Sequence, residues 1–113
     1  CSNAHVPSFI RSKAGFDAKG VDEVICVSVN DPFVMQAWGE ATGAAAAGIT
    51  LLADADATFT KAIGMAFDVP LLGFFNRSKR YALLAEDGVV TRFNPEPGTG
   101  CEISAGEHLL AQI

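Results

Sequence analysis

Between Glu23 and Ala53 two kinds of apolar pattern alternate, and that alternation narrows the folds open to the chain more than any other feature. Glu23 to Val29 is a nearly continuous apolar run with Cys26 in its middle, the pattern of a parallel strand covered on both faces. Asn30-Asp31-Pro32 follows, a capping side chain ahead of a proline at an early helical position. Phe33, Val34, Ala37, Trp38 and Ala41 then recur at helical spacing. An alanine-rich connection from Gly43 to Gly48 leads into a second short apolar strand, Ile49 to Ala53. Strands joined through a helix pair in parallel with a right-handed crossover, so the fold class is α/β.

Further along, Asp54-Ala55-Asp56 offers an N-cap to a short helix through Phe59, Ile63 and Met65. Ala66 to Phe75 reads as a loop containing proline and glycine, unusually apolar for an exposed segment. Arg80 to Glu86 and Val89 to Phe93 flank Asp87-Gly88, a two-residue hairpin signal. Ser104-Ala105-Gly106-Glu107 has the form of a capping box, with Leu109, Leu110 and Ile113 as the buried stripe of a last helix. No repeat and no linker interrupts the 113 residues, which read as one domain, 1–113.

Half of the residues are apolar, enough for a real core, yet no apolar run approaches the length needed to span a bilayer. A net charge of −5 argues against nucleic acid or an anionic membrane as the main partner. Three cysteines, an odd number, do not form a secreted disulfide framework, and a reducing compartment such as the cytoplasm suits them better. With two distant histidines and no Cys-x-x-Cys pair, a zinc site is not expected.

The chemistry concentrates in Cys1-Ser2-Asn3-Ala4-His5-Val6-Pro7-Ser8-Phe9. A lone thiol stands where a helix is expected to begin, and Val6, Phe9, Ile10 and Lys13-Ala14 recur as its inward stripe. Pro7 is expected to kink that helix near its start. The thiolate is the nucleophile, and a free cysteine titrates near ~8.5, so a reactive one needs positive potential, part of which a helix N-terminus supplies.

The segment C-S-x-x-H-x-P-x-F resembles the active-site segment of the type II peroxiredoxins, thiol peroxidases with a thioredoxin fold. The resemblance continues through Val27 to Met35, Leu51-Leu52-Ala53-Asp54, Arg77 to Leu84, and Ser104-Ala105, and fits the plant and bacterial branch best. It implies a thioredoxin-like mixed sheet flanked by helices. The family carries a Pro-x-x-x-Thr-x-x-Cys loop and two or three strands ahead of this cysteine, so a preceding segment is expected and the opening strands are absent from 1–113.

By this resemblance Cys1 is the nucleophile that reduces hydrogen peroxide and alkyl hydroperoxides through a sulfenic acid, with no metal, flavin or other cofactor. Lowering a thiol pKa from ~8.5 to about 6 asks for about 3.4 kcal/mol of preference for the anion. A helix terminus supplies only ~0.3 to 1 kcal/mol, so a fixed cation is required. Arg80 matches the family's catalytic arginine, whereas Arg77 and Lys79 read as a solvated cluster. His5, one turn after Cys1, is a candidate supporting residue, more often a structural donor than a base. Cys26 lies 25 positions after Cys1 and is either the resolving thiol or an inert core one. Cys101 is displaced from the animal branch's resolving position. Leu71 and Phe74 are candidates for the apolar rim of the substrate pocket, with core or subunit contact as the alternative. Glutathione with glutaredoxin, or thioredoxin, is the implied reductant, and a homodimer is expected. The rival reading is a non-catalytic thioredoxin-like interaction domain.

Overall fold

A computed structural model describes residues 3–113. Its elements run in the order α1 (His5–Ala18), β1 (Ile25–Ser28), α2 (Pro32–Thr42), β2 (Thr50–Ala53), α3 (Thr58–Ala62), β3 (Ala66–Val69), a 3-10 turn (Pro70–Leu72), β4 (Phe74–Ser78), β5 (Tyr81–Glu86), β6 (Val89–Pro95) and α4 (Gly106–Ala111). They gather into two compact units: residues up to Asp22 together with Arg80–Ile113, and Glu23–Lys79. No helix of the described residues is long and apolar enough to cross a membrane.

In the Glu23–Lys79 unit the strand-helix-strand reading holds. β1 and β2 pair in parallel from Ile25 with Thr50 to Ser28 with Ala53. The Asp31 carboxylate accepts the Val34 N–H at 2.9 Å, and Pro32 takes the first helical position, where its missing N–H leaves no bond unmade. Met35, Ala44 and Ile49 are the buried apolar side chains of this stretch. The expectation that β1 is covered on both faces is not met: Ile25 is exposed and Cys26 to Ser28 are half-buried. Among the described residues β1 and β2 pair only with each other, so each keeps an open edge. The 66–75 segment is not a loop. It is an antiparallel hairpin, β3 with β4, turning over Pro70–Leu72, and it leaves Leu71 and Phe75 outside. Strands of four and five residues without alternating burial, joined by an apolar turn, leave little to read in the sequence.

The other unit is built on α1, the β5–β6 hairpin and α4. Asp87 and Gly88 both take positive φ, 51° and 79°, the left-handed pair that a tight two-residue hairpin needs. α1 runs unbroken through Pro7, which falls in its first turn, where a missing N–H leaves no i to i−4 bond unmade; the Ser8 N–H bonds the Ala4 carbonyl just after it. The buried face is also rotated from the expected stripe: Val6, Ser8, Ser12 and Phe16 are buried, Phe9 and Ile10 only partly. Contact with α4 explains the rotation. Ser8 Oγ accepts the Gly106 N–H at 2.9 Å, and a Cβ on Gly106 would lie 2.7 Å from the Ser8 carbonyl oxygen. Only glycine permits that approach, and only a small hydroxyl can fill it.

Candidate active site

Arg80 stands between β4 and β5 and is gripped at two places by one loop. Its carbonyl accepts the Glu96 N–H at 2.8 Å. Its Nη1 donates to the Thr99 carbonyl at 3.0 Å and the Gly100 carbonyl at 2.6 Å. Both acceptors are neutral dipoles, so these bonds orient the guanidinium without cancelling its charge.

The loop is closed by a carboxylate. Glu96 is only 9% exposed, and its Oε2 accepts the N–H groups of Glu102 and Ser104 at 3.1 Å each and the Ser104 hydroxyl at 2.6 Å. Those donors, the Ser104 hydroxyl foremost, hold the Glu96 carboxyl below its ordinary pKa. The expected capping box is therefore not made. Ser104 turns to Glu96, Ala105 is the N-cap of α4 without a side-chain bond, and Glu107 pairs with Arg11 at 2.8 Å.

The same segment reaches α1. His5 Nε2 lies 2.9 Å from the Ser104 carbonyl, which can only accept, so the ring carries its proton on Nε2. Burial pushes the His5 pKa down; the Ser104 bond opposes this, and the Arg80 charge adds to the lowering. The Arg80 field is thus felt in the first turn of α1, the turn that follows the cysteine in sequence. A neutral His5 edge-on to Phe9, with ring centroids 5.5 Å apart, is a structural donor.

Of the residues singled out by sequence, His5 and Arg80 are brought together in this unit, and Cys101 lies half-buried beside Gly100. Cys1 lies outside the described residues. Cys26 belongs to the other unit, in β1 opposite Leu51, and burial pushes its thiol up to about 11. Leu71 and Phe74 belong to that unit as well: Leu71 is 99% exposed, and Phe74 carries the Arg77 guanidinium over its ring at 4.8 Å. The sequence reading passed over Glu96. The available signal was an acid set between two prolines, Pro95 and Pro97, at the foot of a glycine-bearing loop.

Residues 1–110 match the Redoxin family model. The chain is 46% identical over its whole length to the chloroplastic peroxiredoxin-2E-2 of Oryza sativa subsp. japonica, spanning about half (51%) of that protein, and 46% identical to peroxiredoxin-2C of the same plant, spanning 69% of it. The crystal structure of reduced Prx3 in complex with H2O2 from Vibrio vulnificus superposes with a TM-score of 0.91 at 47% identity, covering 99% of this chain and 71% of that one. The chain belongs to the redoxin family, among the type II peroxiredoxins with their thioredoxin-like α/β fold.

Proposed function

We propose that the chain is a thiol peroxidase in which Cys1 attacks hydrogen peroxide or an alkyl hydroperoxide and Arg80 holds the thiolate and the peroxide oxygens. The observation that carries this reading is the Arg80 guanidinium, fixed by two backbone carbonyls in the unit that also contains α1. The thiolate sulfur bonds to one peroxide oxygen, the O–O bond breaks, and the departing oxygen takes a proton to leave as water or an alcohol. Sulfur loses two electrons and becomes a sulfenic acid, the first reversible oxidation state. A pre-oriented cation favours the charge that develops on the departing oxygen, with no reorganisation at the moment of reaction.

Recycling falls to an external thiol, glutathione with glutaredoxin or thioredoxin. Cys26 is a poor competitor because a thiol raised to about 11 holds little thiolate near neutral pH. The reducing thiol attacks the sulfenic sulfur and releases water, and a second thiol then attacks the reductant's sulfur in the mixed disulfide, forming the reductant's own disulfide and releasing Cys1 as the thiolate. The exposed Leu71, Leu72 and Phe75 of the β3–β4 hairpin support a homodimer through that surface.

The test is addition of one equivalent of peroxide to the intact protein, followed by thiol counting and mass mapping. Rapid loss of Cys1 alone is expected, with Cys1→Ser inert and Cys101→Ser unaffected. Peroxidase turnover surviving Cys1→Ser would overturn the assignment, and no fast thiol loss at all would favour the interaction-domain reading.

A further inference from the structure

We propose that Glu96 is a positioning residue of this site, locking the 96–104 segment so that its backbone carbonyls hold both Arg80 and His5. The proposal rests on the Arg80 reading above and adds to it the question of what holds Arg80.

Packing does not set the course of this segment. A Cβ built on Gly98 or Gly100 meets no atom of the described residues within 4 Å, so open space surrounds the stretch that presents the Thr99 and Gly100 carbonyls. Its ends are what fix it. At one end the Glu96 N–H is bonded to the Arg80 carbonyl; at the other the Glu96 carboxylate collects the Glu102 and Ser104 donors. The loop closes on its own first residue, and the two carbonyls that grip Nη1 lie inside the closure. Ser104 performs two tasks: its hydroxyl and N–H face Glu96 while its carbonyl faces His5. Removing the carboxylate frees the two buried Ser104 donors and the part-buried Glu102 N–H, and releases both grips together.

Glu96 is not placed to act as a base. Its Oε2 is occupied by three donors that favour the ionised form, so it takes up no proton during a reaction near neutral pH. Its effect on the chemistry passes through Arg80.

A double-mutant cycle in the intact protein tests this. Glu96→Ala is expected to slow the reaction with hydrogen peroxide at pH 7 by about tenfold, and by less than about twofold in an Arg80→Gln background, because groups acting through one another are not additive. It is also expected to move the pH midpoint of Cys1 alkylation upward, which a loss of general stability alone does not do. Glu96→Gln keeps an acceptor oxygen without the charge and is expected to stay within about threefold of the parent rate. If Glu96→Ala does not fold, the same cycle is read with Ser104→Ala, which removes the 2.6 Å bond to Glu96 and is expected to slow the reaction in the same direction. A rate loss that persists undiminished in the Arg80→Gln background, or an unchanged rate in whichever of Glu96→Ala and Ser104→Ala is read, overturns the proposal. If Arg80→Gln alone leaves the rate and alkylation profile unchanged, the arginine reading fails first and Glu96 loses its role with it.

Discussion

Two acidic side chains in this chain make nearly the same bonds and serve different ends. Asp54, 9% exposed, accepts the Phe59 and Thr60 N–H groups and the Thr60 hydroxyl, the last at 2.6 Å. Glu96, equally buried, accepts two N–H groups and the Ser104 hydroxyl at the same 2.6 Å. The Asp54 donors belong to α3 itself, whose N-cap Ala57 makes no side-chain bond, so the carboxylate three residues earlier takes the first-turn N–H groups in place of a capping side chain and the bonds end there. The Glu96 donors close a loop whose carbonyls point at another side chain, so the same three bonds are passed on to Arg80. A buried carboxylate with converging donors is thus a structural element in both places, and on the proposed reading what the enclosed backbone faces decides whether it reaches the chemistry.

The sharpest way to break this comparison is at its outlet. Arg80→Gln is expected to lower the rate with peroxide at least about 100-fold with little change in Tm, the size seen when a preorganised charge at a reacting centre is lost. A comparable fall in Tm would make Arg80 a structural residue like those around Asp54. Asp54→Ala should do the reverse: loss of a helix cap costs about 1 to 2 kcal/mol, read as a lower denaturation midpoint, while activity per folded molecule stays the same. A specific activity that drops with Asp54 would mean that the two carboxylates do not differ in reach.

His5 gives a pH signature to the Glu96 region alone. Its folded pKa is lowered by burial, so the unfolded chain binds the proton more readily, and the stabilisation present above about 6.5 is lost as pH falls through the folded value. Denaturation midpoints should decline below about pH 6.5, and His5→Gln should flatten that decline. The two carboxylates, both held below their ordinary range, add a later loss at more acidic pH. The smallest effect is expected for Arg77→Gln. Its guanidinium lies over Phe74, a contact of about 0.5 to 1 kcal/mol when exposed, and the peroxide rate should change less than about twofold.

What the sequence disclosed follows the reach of its local signals. Asp31-Pro32 and Asp87-Gly88 act within a few residues, and both elements stand where those pairs place them. The β3–β4 hairpin was missed because its strands are short and its turn is apolar, leaving no change of period to read. Ser104 was assigned to a capping box, a local pattern, but a buried carboxylate eight residues earlier offered it a stronger bond. Arg80 came from family resemblance; no local pattern distinguishes it from Arg77, because what separates them is a pair of carbonyls about twenty positions away.

The ties between α1 and the end of the chain also set an order of events. His5 meets Ser104, Ser8 meets Gly106 and Arg11 meets Glu107 across 96 to 99 positions. Contacts of such separation form late in folding, after the segments between them have condensed. On a ribosome the proposed nucleophile emerges long before Arg80 and its loop are synthesised. On the proposed reading, a growing or partly unfolded chain therefore carries an ordinary thiol that reacts slowly with peroxide. Its reactivity then waits on the making and folding of the 80–104 segment, which would spare the proposed nucleophile from damage during the interval when it is least shielded.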